Sequence, residues 1–144
     1  MAWGRAAVAA VIITLAGPAA ARDQVPGPVE AELVRVIDGD TIVVRAKLWP
    51  NLLAETHVRL LGVDAPELKG RCDAERELAE KARTFVAGRL ENAAIRLFDV
   101  RPDKYGGRVL ARVEAGGKDL ADQLLAAGLA RPYHGRRREG WCDD

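Results

Sequence analysis

Apolar and polar residues alternate from Ile42 to Leu48. Ile42, Val44, Ala46 and Leu48 face one way and Val43, Arg45 and Lys47 the other, the two-residue period of a half-buried strand. A run rich in β-branched residues, from about Glu30 to Ile37, precedes it across Asp38-Gly39. That pair suits the two central positions of a tight hairpin turn, because both need φ > 0. Trp49-Pro50-Asn51 closes the second strand and a third runs from about Glu55 to Val63, which makes an antiparallel meander. The period then changes: Leu78, Ala82, Phe85, Val86 and Leu90 recur at helical spacing, with Asp73 placed as N-cap and Glu75, Glu77 and Glu80 in the early turns. Ile95 to Val100 and Val109 to Glu114 read as strands four and five around the loop Arg101 to Gly107. Gly116-Gly117 breaks the chain, and Asp119 to Ala127 reads as a second amphipathic helix ended by Gly128. Five short strands with a helix after the third predict an α+β, mainly β fold: a small, partly open five-stranded barrel of the OB type with two packed helices.

The 144 residues, 49% hydrophobic and 30% charged, fit one compact domain with no visible internal repeat. Its expected limits are 30–144, behind an extended leader at 22–29 that contains two prolines and a glycine. Residues 1–21 have the pattern of a signal peptide: Arg5, an apolar run from Ala6 to Ala16, and Ala19-Ala20-Ala21 as a cleavage site. The other reading of that segment is an uncleaved anchor, although the run is short for a bilayer. Cleavage after Ala21 removes Arg5 and no acid, leaving 21 basic against 21 acidic residues. A chain near neutrality does not coat nucleic acid by overall charge, so any grip on phosphates has to be local. Export places Cys72 and Cys142 in an oxidising compartment, where an even number of thiols favours a disulfide; two buried free thiols are the alternative.

Several chemistries are excluded. The sequence has no serine, so there is no serine nucleophile. Its two histidines, His57 and His134, are too few for a three-histidine zinc site, and pairing of the cysteines would consume the thiols. Asp38-Gly39-Asp40 does not open an EF-hand, since Trp49 stands where that loop needs a bidentate glutamate. Acids and arginines remain. Asp40 follows the first turn, and Asp64 and Glu67 end the strand Arg59 to Val63, so two strand ends terminate in carboxylates that can share a hard cation. Taken alone, Asp40 also reads as a solvated turn residue. Glu67 can accept a proton from water, and Arg59 and Arg108 can hold a phosphate as planar forks. Cation plus guanidinium suits phosphodiester hydrolysis, where negative charge grows on the phosphoryl oxygens. Tyr133-His134-Gly135-Arg136-Arg137-Arg138 can stack a base and hold phosphates, or be solvated surface.

Three motifs occur in order: Val36-Ile37-Asp38-Gly39-Asp40-Thr41, then Arg59-Leu60-Leu61-Gly62-Val63-Asp64-Ala65-Pro66-Glu67, then Asp103-Lys104-Tyr105-Gly106-Gly107-Arg108. Through them the chain resembles the staphylococcal nuclease family from about Glu30 to Tyr133. The resemblance implies an OB-type barrel and a Ca²⁺-dependent nuclease that cuts DNA and RNA with little sequence preference, leaving 3′-phosphate ends. It implies Asp40, Asp64 and the backbone carbonyl of Ala65 as Ca²⁺ ligands, with Asp38 acting nearby through water. Glu67 would be the general base, Arg59 and Arg108 the phosphate clamps, Lys104 and Tyr105 neighbours of the nucleotide, and Tyr133 a stacking residue. The chain departs from the family in an extra glycine before Arg108 and in a shorter segment after the second helix. A monomer without an obligate protein partner is expected, free of the membrane once cleaved and either periplasmic or secreted. Two other classes remain open, a non-catalytic nucleic-acid-binding OB module and a Ca²⁺-stabilised structural protein.

Overall fold

A computed structural model describes Met1 and residues 23–142, so the expected signal peptide at 1–21 lies, Met1 apart, outside the described residues. The elements in chain order are β1 (Val29–Val36), β2 (Thr41–Trp49), β3 (Leu52–Leu60), β4 (Val63–Asp64) and α1 (Asp73–Leu90). They continue with β5 (Ile95–Pro102), β6 (Arg108–Ala115), β7 (Lys118–Asp119), α2 (Leu120–Ala126) and β8 (Arg131–Pro132). β1 lies between β2 and β5, β3 flanks β2, and β6 flanks β5. A parallel pairing of β3 with β6, from His57↔Arg108 to Leu60↔Ala111, joins the two ends. That pairing closes a five-stranded barrel where the sequence predicts a partly open one.

Inside the barrel Ile42, Val44, Val58, Leu60, Leu97 and Val113 pack against Val86 and Leu90 of α1 and Leu120 and Leu124 of α2. Burying each such side chain stabilises by roughly 1.5–3 kcal/mol. The helix stripe is Glu75, Ala79, Ala82, Val86 and Leu90, while Leu78 and Phe85 are half-buried. Cys72, in extended conformation, is the N-cap, and the predicted cap Asp73 sits inside the first turn, where its charge still suits the helix N-terminus. Asp119 caps α2 by accepting the Asp122 N–H at 3.1 Å.

The first turn differs from its prediction. Neither Asp38 nor Gly39 has positive φ. Residues 37–40 form a wider connection in which the Ile37 and Asp38 N–H groups donate to the Thr41 carbonyl at 3.0 and 3.2 Å. Gly39 is there for space: a Cβ on it would lie 2.8 Å from the Cβ atoms of both Ala65 and Ala82. Two consecutive positive φ values occur instead at Gly116 (58°) and Gly117 (79°), which join β6 to β7. The third strand stops at Leu60. Gly62, at φ 82°, turns the chain so that β4 pairs with β8 and leaves the barrel wall. On β2, Val43 is buried together with the predicted face, whereas Leu48 is 56% exposed because the hairpin tip extends past the core.

The leader is held from Val25, which exchanges two 2.8 Å backbone bonds with Val100. Cys72 and Cys142 form a disulfide with Cα atoms 6.0 Å apart, across a separation of 70 residues. By loop-closure entropy such a bridge stabilises by about 4 kcal/mol. Among the described residues no helix is long and apolar enough to cross a membrane.

Candidate active site

Strand register builds the centre of the site. Thr41 pairs with Arg59 across β2 and β3, which sets Asp40 at the mouth of β2 beside the Arg59 side chain. Arg59 Nη1 lies 2.9 Å from Asp40 Oδ2 and Nη2 lies 3.3 Å from Asp64 Oδ1. Asp40 Oδ2 also accepts the Ala65 N–H at 2.9 Å, and its Oδ1 accepts the Thr41 hydroxyl at 3.0 Å. Asp38 Oδ1 accepts the Asp40 N–H at 3.1 Å, which places Asp38 behind Asp40. Asp40 and Asp64 are only 4% and 6% exposed. Carboxylates that deep persist only when partnered, and Arg59, the Ala65 N–H and the Thr41 hydroxyl are the partners.

The charges act on one another. Burial pushes the Asp38 carboxyl up to about 7, and the neighbouring Asp40 charge adds to it. Burial opposes the Asp40 charge as well, but the Arg59 guanidinium and the Ala65 N–H hold its carboxyl below the ordinary range. Arg59 is itself held above its ordinary value: burial works against its charge, and Asp40 and Asp64 together support it.

Glu67 lies on the exposed loop that follows β4. Glu75, buried at the start of α1, organises that loop by accepting the Glu67 N–H at 3.3 Å and the Arg71 N–H at 3.0 Å. Gly70 permits this approach, since a Cβ there would meet the Glu75 side chain at 2.4 Å. Arg138 arrives from the C-terminal tail: its Nε donates to Asp64 Oδ1 at 2.7 Å and its Nη1 contacts Glu67 Oε1. Tyr133 donates its N–H to the Gly62 carbonyl at 2.8 Å, and Arg59 sits over its ring at 5.8 Å.

Asp38, Asp40, Arg59, Asp64, Ala65, Glu67 and Tyr133 thus lie in one connected group. Arg108, Lys104 and Tyr105 form a separate group. The Arg108 guanidinium contacts Asp103 and lies 4.8 Å from the Tyr105 ring centre, and Lys104 is 5.1 Å from the same ring. None of the three contacts the buried acids among the described residues. Nor do Asp38, Asp40 and Asp64 converge as a tight cage. Among the described residues the one group of three Cys, His, Asp or Glu ligand atoms within 4.8 Å of one another is Cys72, Glu75 and Cys142, where the sulfurs are bonded together. Guanidinium groups stand between the carboxylates.

The sequence profile of the family described as Staphylococcal nuclease homologue matches residues 57–141. The chain belongs to the staphylococcal nuclease family. Its relatives include the Thermonuclease of Staphylococcus intermedius, 38% identical over 99 residues, 67% of this chain and 55% of that protein. The Probable endonuclease LCL3 of Arthroderma otae is 38% identical over 85 residues, 56% of this chain and 30% of that protein. Protein ParB of Escherichia coli is 30% identical over 142 residues, 92% of this chain and 71% of that protein. The chain therefore spans about half the length of the thermonuclease and under a third of the LCL3 protein.

Two residues of this staphylococcal nuclease homologue escape a reading by motif. Glu75 reads as one more acid in a first turn, and Arg138 as part of a basic run. The cysteines carried the signal. Glu67 is five residues before Cys72 and Arg138 four before Cys142, so a bridge between the cysteines draws the two side chains within reach of each other.

Proposed function

We propose that this chain is a metal-dependent nuclease that hydrolyses phosphodiester bonds in DNA or RNA. One observation carries the reading: Asp40 and Asp64, from two separate strand ends, are buried side by side on one guanidinium with Glu67 on the adjoining loop. The donor set suits a hard cation. Asp40, Asp64 and the Ala65 carbonyl offer oxygen only, in keeping with Ca²⁺. When bound, Ca²⁺ polarises the phosphoryl oxygens and offsets the charge that grows on them. Arg59, already oriented by two carboxylates, presents its remaining donor edge to the phosphate. Glu67 takes the proton of the attacking water, and Arg108 adds a second guanidinium once its loop turns toward the substrate. Tyr133, under Arg59, gives a nucleotide ring a face to stack on.

The disulfide fits export to an oxidising compartment, which is the localisation we propose. A second reading, a binding module without chemistry, draws on two contacts: Arg138 occupies Asp64 and Glu67, and Arg108 is turned to Asp103. One experiment separates them. Residues 22–144 are incubated with labelled single-stranded DNA in Ca²⁺, in EDTA, and in Ca²⁺ as Glu67→Gln. A nuclease cleaves only in the first, with a loss of about a hundredfold or more in the variant. Binding without cleavage in all three gives the site to the binding module.

A further inference from the structure

Beside the buried acids lies a cavity of about 300 Å³ that runs from Asp64 and Glu67 to Trp141 and Cys142. Its walls are the loop after β4 and the C-terminal tail. Lys69 and Arg71 stand on the loop wall and Arg137 on the tail wall, all three exposed. Among the described residues none of the three has a carboxylate within 4.0 Å. The acids around the cavity are already matched: Asp64 and Glu67 by Arg138, Glu75 by two backbone N–H groups, and Glu139 by Arg131 at 3.9 Å. The lining holds four cations and four carboxylates, and among the described residues Lys69, Arg71 and Arg137 are the cations left without an ion-pair partner, in a chain whose formal charge is only +1.

Both walls are fixed. Glu75 pins the loop, and the tail is tied by the disulfide and by Arg131, which lies 4.0 Å over the Trp141 ring and donates to the Gly140 carbonyl at 2.6 Å. Fixed walls spare the cost of ordering the backbone that carries the three basic side chains. Two guanidinium forks and one ammonium match the oxygens of a phosphate.

We propose that this cavity is a subsite for a backbone phosphate of a polynucleotide, the one next to the phosphate under attack. The inference rests on the nuclease reading above and deepens it: the substrate is a polymer gripped at two consecutive phosphates. Local cations at one cavity supply the hold that the overall charge does not.

The test compares the wild-type protein in Ca²⁺ with the triple variant Lys69→Ala/Arg71→Ala/Arg137→Ala. The substrates are a single-stranded oligonucleotide and a thymidine nitrophenyl phosphodiester that carries one phosphate. In the variant the ratio of kcat/KM for oligonucleotide over nitrophenyl ester falls about tenfold. The fall lies in KM, and the salt dependence of that KM flattens by about 0.7 in log–log slope, the share of one phosphate on a single strand. The charge-keeping variant Arg71→Lys/Arg137→Lys retains most of the ratio. An unchanged ratio, or an equal loss on both substrates, overturns the subsite while the nuclease reading stands. A wild-type protein inactive on both substrates ends both. If the triple variant melts early, Arg137→Ala alone, on the exposed tail, carries the same comparison.

Discussion

Arg59 and Arg108 stand near each other on adjoining strands and are held very differently. Arg59 belongs to the stretch of β3 that is paired on both edges, with β2 on one side and β6 on the other, and its side chain is 11% exposed between two buried carboxylates. Arg108 opens β6 at the end of the 103–107 loop, where its contacts are Asp103 and the exposed ring of Tyr105. The barrel fixes the first when it folds. The second is aimed by a loop with two glycines, of which Gly107 has φ 76°. Reacting groups displaced by an ångström lose rate heavily, so under the function proposed above the rigid half of the site is ready before substrate arrives and the loop half has to be drawn in.

That contrast can be broken at four places. Arg59→Ala has the largest expected effect on stability, about 3–5 kcal/mol, because it leaves buried Asp40 and Asp64 without their shared partner; urea titration in EDTA measures it. Gly39→Ala follows at about 1–3 kcal/mol, read in the same titration, since the new methyl meets Ala65 and Ala82, which have no flexible end to move aside. Arg108→Ala costs about 1–3 kcal/mol, because the Asp103 side chain, 6% exposed, loses its guanidinium but keeps the Lys104 N–H at 2.7 Å, while nuclease rate falls as far as in Arg59→Ala. Equal stability losses for the two arginines would erase the distinction.

The fourth place is the pH dependence. Asp38 keeps its proton to about pH 7 in the folded chain, against an ordinary value of 3.8. The folded state therefore binds more protons than the unfolded one between those values, and stability falls as pH climbs from about 4 to about 7, then levels. Asp40 runs the other way, with its lowered carboxyl contributing stability that is lost only as pH drops below 3.8. Asp38→Asn removes the first slope, so its melting temperature gains on wild type between pH 5 and pH 8 in EDTA.

The strand-held half was legible in the sequence because local pattern specifies it. β-branched runs give β1 to β3, and acids at strand ends stand out against that background. Gly39 misled because one residue has two uses: the pair Asp38-Gly39 advertises a backbone conformation, while the structure exploits the missing side chain. Barrel closure by β3 and β6, and the delivery of Arg138 to Asp64, join residues distant in the chain, and no local period encodes them. Only the cysteines announced the second, through the bond they form.

Closure extends over four residue pairs and stops at His57. Beyond it no strand among the described residues pairs with that edge of β3 from Leu52 to Thr56, and the hairpin tip shows Leu48, Trp49, Leu52 and Leu53 to water, each between 45% and 72% exposed. Unpaired backbone beside uncovered apolar side chains is a template for another chain. The end of the barrel that hides charge governs what the protein does to a substrate, and the opposite end governs how concentrated a solution of it stays clear.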